Sequence, residues 1–171
     1  MTLTLVLGGA RSGKSAYAQA QAEAWAAGRG ARPVMIATAQ AFDDEMAERI
    51  ARHRAERGGA WSTAEAPLDL PAALAARTAG EATVVDCLTL WLSNLMLAEA
   101  DLGAATDRLE AALRACAAPV WLVSNEVGQG IVPDNALARR FRDEAGRLNQ
   151  RMAAACDQAV LIVAGLPLRL K

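Results

Sequence analysis

The chain has 171 residues, of which 53% are hydrophobic, with 18 Lys and Arg against 19 Asp and Glu. This apolar content excludes disorder, and the length predicts one domain over residues 1–171. A formal net charge of −1 argues against nucleic acid or an anionic membrane as the main partner. The longest apolar stretches are too short to span a bilayer. No basic segment precedes the apolar run Thr2–Leu7. We therefore expect a cytoplasmic protein without a membrane span or signal peptide.

Cysteine and histidine are too few and too scattered for a metal cage. Cys87, Cys116 and Cys156 lie far apart in the sequence, and the chain has a single histidine. No pair has the short spacing of a zinc or redox site. We predict that the three cysteines are small buried residues of a protein in a reducing compartment.

Short apolar runs alternate with helix-favouring stretches through the first half of the chain. The predicted elements are a strand at Thr2–Leu7, a helix at Lys14–Ala27, a strand at Val34–Thr38, a helix at Met46–Arg57 and a loop at Trp61–Pro71. Glycine and proline between residues 28 and 33 separate the first helix from the second strand.

The same alternation continues after a short Ala-rich helix. The predicted elements are a strand at Thr83–Cys87, helices at Leu90–Ala98 and Ala104–Cys116, a strand at Val120–Ser124, a loop at Val127–Pro133, a helix at Asp134–Cys156, a strand at Val160–Ala164 and a terminal hairpin partner at Leu168–Leu170. Continuous apolar strands that alternate with helices predict an α/β fold, a mostly parallel central sheet with helices on both faces.

The longest predicted helix has a clear start and a buried face. Asp134 is a suitable N-cap residue, since its carboxylate can accept from a free backbone N–H. Apolar residues follow at spacings of three and four, which predicts one face against the core. These residues are Leu137, Phe141, Ala145, Leu148 and Met152.

A phosphate-binding loop is predicted directly after the first strand. The eight residues Gly8, Gly9, Ala10, Arg11, Ser12, Gly13, Lys14 and Ser15 fit G-x-x-x-x-G-K-[ST]. The glycines let backbone N–H groups turn toward phosphate oxygens, and the following helix N-terminus adds positive potential. We expect Lys14 to reach the β- and γ-phosphates and Ser15 to hold Mg²⁺. Only one other lysine, Lys171, occurs in this arginine-rich chain.

Two acidic residues follow predicted strands and compete for the second magnesium contact. Asp86 ends the third strand, and Glu126 lies just beyond the fourth. Both belong to the carboxyl edge of a parallel sheet, where ligands of open α/β folds bind. Asp86 is preferred because the strand before it is wholly apolar, whereas Glu126 is a candidate for the base that activates an acceptor hydroxyl. Either acid can instead cap a turn.

His53, the single histidine, is surrounded in sequence by Arg49, Arg52, Arg54 and Arg57. Such a basic cluster can hold a polyphosphate while a neutral imidazole attacks phosphorus, and it would lower the pKa of the histidine. A solvated helix face, paired with the acidic residues around it, explains the same pattern. Local reasoning leaves both interpretations open.

Four segments together resemble the bifunctional adenosylcobinamide kinase/adenosylcobinamide-phosphate guanylyltransferase family. They are GGARSGKS at Gly8–Ser15, IATAQAFDDEMAERIARHR at Ile36–Arg54, WSTAE at Trp61–Glu65 and SNEVGQGIVPDNALARRFRDEAGRLNQ at Ser124–Gln150. The resemblance runs from the first strand to the C-terminus. It implies a RecA-like P-loop NTPase fold and a homotrimer.

The resemblance also implies two reactions. ATP or GTP phosphorylates adenosylcobinamide, and GTP then gives its GMP part to adenosylcobinamide phosphate through a guanylylated histidine, which here is His53. Relatives can carry a second histidine where this chain has Arg52. The nucleotide contacts implied by the match are the phosphate loop with Ala37, Thr38, Ala39, Arg54, Ala55, Glu56, Arg57, Glu65 and Asp86. No short motif marks the corrinoid pocket.

Two other functions compete with this interpretation. A monofunctional P-loop kinase would use Lys14 and Mg²⁺ without a covalent step, and it would not need His53. A nucleotide-switch protein would regulate a partner, but the chain lacks the N-K-x-D segment by which common switch GTPases read guanine.

Overall fold

The computed structural model describes residues 2–40 and 59–171. Within these ranges the strands are β1 (Leu3–Gly8), β2 (Arg32–Ala37), β3 (Ser62–Glu65), β4 (Glu81–Asp86), β5 (Val120–Asn125), β6 (Gln158–Val163) and β7 (Leu166–Arg169). The helices are α1 (Lys14–Ala27), α2 (Leu70–Ala75), α3 (Leu88–Leu97), α4 (Leu102–Ala115) and α5 (Ala136–Ala155). The predicted helix Met46–Arg57 lies outside the described residues.

All the described strands belong to one sheet with the order β3-β2-β4-β5-β1-β6-β7. Every neighbouring pair from β3 to β6 is parallel, and β7 returns antiparallel to β6. This confirms the mostly parallel α/β sheet and the terminal hairpin. In the described part of the chain no helix is both long and apolar enough to cross a membrane.

The apolar core lies on both faces of the sheet. On one face, α1 packs through Ala18, Ala22 and Ala26 against Met35, Val84 and Val123. Small alanines let this helix approach the strands closely. On the other face, helices α2 to α5 cover the sheet through larger side chains such as Leu74, Trp91, Leu109 and Leu148. The prediction of helices on both faces of the sheet is therefore confirmed. The carboxyl edge of the sheet lies between these two layers of helices.

The predicted loop Trp61–Pro71 was wrong, because it contains β3 and the start of α2. β3 has four residues, and among the described strands it pairs only with β2. A short polar edge strand shows little hydrophobic alternation, so its pairing with a distant strand decides its conformation. Helix α2 begins after Asp69, whose carboxylate accepts from Ala72 N at 3.2 Å.

The long helix α5 needs two corrections. Its N-cap is Asn135, not Asp134: the Asn135 side chain accepts from Ala138 N at 2.7 Å. Asp and Asn cap equally well, so composition alone does not select between adjacent residues. Leu137 is 61% exposed; contact with the core begins further along at the partly buried Phe141, and full burial begins at Ala145. Periodicity predicts which face is apolar but not how far the core extends along it.

Candidate active site

The predicted phosphate loop connects β1 to α1 and has a glycine at each end. β1 ends at Gly8 and α1 begins at Lys14. Gly13 precedes the helix with φ 95°, a left-handed conformation that glycine adopts without steric cost. At Gly8 a Cβ atom would lie 2.8 Å from the carbonyl oxygen of Ile162. Both positions therefore require glycine, and the backbone between them can curve around an anion.

Lys14 lies over this loop and is itself buried. Its Nζ donates to the carbonyl oxygen of Gly9 at 3.0 Å. The loop is closed by a second bond to the same carbonyl, from Ser12 N at 3.3 Å, and Gly165 N donates to Ser12 O at 2.9 Å. The ammonium and the loop N–H groups thus belong to one compact unit, which suits contact with bound phosphates.

The ends of parallel strands bring the predicted site residues to one edge of the sheet. Ala37, the last residue of β2, pairs with Glu65 of β3 on one side and with Asp86 of β4 on the other. Gly8 at the end of β1 pairs with Asn125 at the end of β5. Asp86 therefore ends its strand at the same edge as the phosphate loop, with β5 between β4 and β1. Ligands of open parallel sheets bind at this edge.

Buried hydrogen bonds hold the ends of β2 and β4 together. Thr38, fully buried, donates from Oγ1 to Cys87 O at 2.7 Å and accepts from Cys87 N at 2.9 Å. Asn94 of α3 donates to both Thr38 O at 2.8 Å and Pro67 O at 2.9 Å. The buried Asn94 amide therefore joins the segment after β2 to the segment after β3. Thr38 in turn joins the segment after β2 to Cys87, the residue after Asp86.

A second polar contact links β5 to the start of α3. Asn125 Nδ2 donates to Thr89 Oγ1 at 2.7 Å, and Thr89 shares a hydrogen bond with Cys87 Sγ at 3.1 Å. Burial raises the pKa of the Cys87 thiol, and the Asp86 carboxylate raises it further, whereas the Thr89 bond and the Lys14 charge oppose this increase. Cys87 is therefore a protonated, buried residue of the site's support, as predicted for the cysteines, all three of which are free and buried.

The structure brings together only part of the predicted site. The phosphate loop, Thr38, Ala39, Glu65 and Asp86 lie at the carboxyl edge, and Glu126 follows β5 there as predicted. The following predicted residues lie outside the described residues: His53, Arg54, Ala55, Glu56 and Arg57.

Sequence reasoning missed Thr89, Asn94 and Asn125. A signal for the first two was present, because they are buried polar residues within the apolar helix sequence LTLWLSNLML. A polar side chain on the buried face of such a helix needs a hydrogen-bond partner, and here the partners are strand ends.

Ser15 and Asp86, the residues predicted to hold Mg²⁺, supply one hydroxyl and one carboxylate, and both are half-buried. Among the described residues no group of three or more His, Cys, Asp or Glu could hold a metal ion. In nucleotide sites Mg²⁺ takes one or two protein oxygens and completes its shell with waters and substrate phosphates. The hard oxygen donors therefore fit a magnesium ion that binds with the nucleotide.

The loop, its lysine and the carboxylate at the end of β4 define a P-loop NTPase fold with a site suited to phosphoryl transfer. A more specific assignment comes from the sequence profile of one family, "Cobinamide kinase / cobinamide phosphate guanyltransferase", which matches residues 4–170. The chain belongs to this family.

Three curated relatives agree with this assignment over nearly their whole length. The bifunctional adenosylcobalamin biosynthesis protein CobP of Pseudomonas aeruginosa is 48% identical over 98% of this chain and 96% of its own. The bifunctional adenosylcobalamin biosynthesis proteins CobU of Salmonella typhimurium and Escherichia coli are 44% and 40% identical, each over 99% of both chains. These findings confirm the predicted family and a bifunctional kinase and guanyltransferase over the monofunctional kinase.

Proposed function

We propose that the chain phosphorylates adenosylcobinamide with ATP or GTP and then transfers GMP from GTP to adenosylcobinamide phosphate. The products are adenosyl-GDP-cobinamide and pyrophosphate. The phosphate loop carries this proposal, because its two required glycines and its folded-back lysine suit a triphosphate. The match to the family over residues 4–170 supports two reactions in one chain.

In the kinase step, the loop N–H groups and Lys14 hold the triphosphate at the N-terminus of α1. Lys14 opposes the negative charge that develops on the β-phosphate as the γ-phosphoryl group leaves. Ser15 and Asp86 would hold Mg²⁺, which when bound neutralises phosphate charge. The bonds of Thr38 to Cys87 support this arrangement, since they hold the residue next to Asp86.

In the guanylyl step, we propose His53 as the nucleophile. An imidazole nitrogen forms a bond to the α-phosphorus of GTP as the bond to the pyrophosphate oxygen breaks. An oxygen of the acceptor phosphate then attacks the same phosphorus, and the P–N bond breaks to restore the imidazole. This role rests on the resemblance and on His53 being the chain's single histidine. Ala37 to Ala39, Arg54 to Arg57 and Glu65 are proposed nucleotide contacts on the same basis.

Labelling with GTP tests the covalent step. GTP labelled at the α-phosphate is incubated with Mg²⁺ and either the wild-type protein or His53→Asn. We expect acid-labile, alkali-stable label on the wild type and none on the variant. GTP labelled at the γ-phosphate is the control and leaves no label. Retention of the α-label by His53→Asn would contradict the assignment, and γ-phosphate transfer to cobinamide by that variant would show that its kinase site is folded.

The resemblance also supports a proposal on the assembly of the chain and on its cellular compartment. We propose that the chain assembles as a homotrimer and works in the cytoplasm. Light scattering of the purified protein measures the assembly directly, and a mass other than three times that of the chain would contradict the trimer.

A further inference from the structure

A cavity lies beside the phosphate loop, on the side of the β6–β7 hairpin. Its volume is about 370 Å³. One wall is the loop itself, from Gly9 to Ser12, and the floor is the end of β6 from Leu161 to Val163 together with the next residue, Ala164. A second wall is Glu126 with Gln129. The kinase mechanism above uses neither residue of this second wall.

Glu126 is fixed against the start of the phosphate loop. Its N–H donates to the carbonyl oxygen of Gly8 at 3.0 Å, which continues the pairing between β5 and β1. Its Oε1 accepts from Gly128 N at 2.6 Å. A Cβ atom at Gly128 would lie 2.9 Å from that oxygen, so this glycine lets the chain turn back onto the carboxylate. Within the described residues Oε2 has no hydrogen-bond partner, and it remains available to a ligand.

The chemistry of the walls differs from that of a phosphate site. Glu126 places negative charge beside a loop built for anions, which would oppose a further phosphate group but suits a neutral hydroxyl. The apolar floor continues to the exposed side chain of Val163. Ile131 and Val132, shortly after Gln129 in the chain, are also exposed. This combination suits a large, partly apolar molecule that presents an alcohol to the loop.

We propose that this cavity is the acceptor-alcohol subsite of the kinase reaction, with Glu126 as the catalytic base. The inference rests on the proposed function and extends it to a substrate site and a residue. The hydroxyl donates its hydrogen bond to Oε2 of Glu126. As the alcohol oxygen forms a bond to the γ-phosphorus, the bond from that phosphorus to the nucleoside diphosphate oxygen breaks. The hydroxyl proton passes to Glu126 and then to water, and the diphosphate leaves.

The bifunctional chemistry provides a sharp test, because only the first reaction needs a base. The acceptor of the guanylyl step is an ionised phosphate, which has no proton to lose. In Glu126→Gln the kinase kcat is expected to fall about 100-fold or more. Guanylyl transfer to pre-formed cobinamide phosphate is expected to stay within about threefold of wild type, since the amide keeps the shape of the wall.

Asp134→Asn is the matched control. It makes the same chemical change in an exposed acid eight residues along the chain, where α5 has not yet begun, and both activities are expected to stay at the wild-type level. Equal losses of both activities in Glu126→Gln would assign the residue to structure and overturn the proposal. A wild type with neither activity would instead overturn the proposed function itself.

A second variant tests the occupant of the cavity. Val163→Trp adds bulk to the floor without touching the loop glycines or Lys14. We expect the KM for cobinamide to rise about tenfold or more, with an unchanged KM for the nucleoside triphosphate. An increase in the KM for the nucleotide alone would show that the cavity holds the nucleoside, and the acceptor assignment would be wrong.

Discussion

The two sides of the phosphate loop are built differently. We call the ends of β2, β3 and β4 with helix α3 the tied side, and the end of β6 with β7 the open side. On the tied side, Thr38 and Asn94 are buried and make hydrogen bonds between elements that lie 49 and 56 residues apart in sequence. On the open side, Leu166 is 72% exposed and the cavity opens beside the loop.

The difference matches what the two proposed substrates would need. A nucleotide with its metal ion needs oxygen ligands at fixed positions, and buried hydrogen bonds to their neighbours supply that order. An acceptor as bulky as a corrinoid needs space and apolar surface. In the function proposed above, Asp86 on the tied side would supply such an oxygen ligand, and the open side would supply the space and apolar surface. The comparison can be tested through stability, because changes on the tied side should cost far more than changes on the open side.

Asn94→Leu is expected to have the largest effect on stability. Leucine has a similar volume but donates no hydrogen bond, so the carbonyl groups of Thr38 and Pro67 lose a buried donor. We expect the free energy of unfolding in urea to fall by about 3 kcal/mol. The neighbouring Ser93→Ala is the control, with an expected change below about 0.5 kcal/mol.

Cysteine alkylation of the same variant shows where the structure loosens. Burial raises the pKa of Cys87, and it raises the pKa of Cys156 to about 12, so both thiols are protonated and slow to react in the wild type near neutral pH. In Asn94→Leu we expect Cys87 to react faster with iodoacetamide and Cys156 to stay slow. Equal acceleration at both cysteines would mean that the whole sheet loosens and that the tied side is not a separate unit.

Thr38→Val tests the next bond and should cost less. Valine keeps the shape of threonine, but the N–H and carbonyl groups of Cys87 lose the hydroxyl. We expect a loss of about 2 kcal/mol in the free energy of unfolding and a higher KM for the nucleoside triphosphate. Thr38→Ser keeps the hydroxyl and should restore most of both quantities. A valine variant as stable as wild type would show that this bond is dispensable.

Local chemistry explains what could be predicted from the sequence. The phosphate loop is contiguous, with strand, turn and helix adjacent in the chain, so one motif predicts both its geometry and its ligand. The place of Asp86 at a strand end was predictable because the buried apolar residues Val84 and Val85 lead directly to it. The position of Glu126 at the same edge followed from the parallel arrangement of the strands.

Contacts between distant residues explain what was missed. β3 is polar and short, and its pairing with β2 makes it a strand. The polar residue Asn94 was visible in an apolar helix, but its partners Thr38 and Pro67 lie 56 and 27 residues away. A single sequence does not specify such pairings, because neither partner carries a local pattern that names the other.

Leu166→Thr tests the open side and should have the smallest effect. Leu166 lies in β7, which is an edge strand among those that the structure describes. This strand also contains Pro167, a residue that edge strands tolerate. Threonine keeps the preference for extended backbone, and the exposed leucine has little buried area to lose. We expect the free energy of unfolding in urea to change by less than about 0.5 kcal/mol. The change should be the same at two protein concentrations about a hundredfold apart. A larger, concentration-dependent loss would contradict the comparison, because it would mean that a second copy of the chain covers this edge.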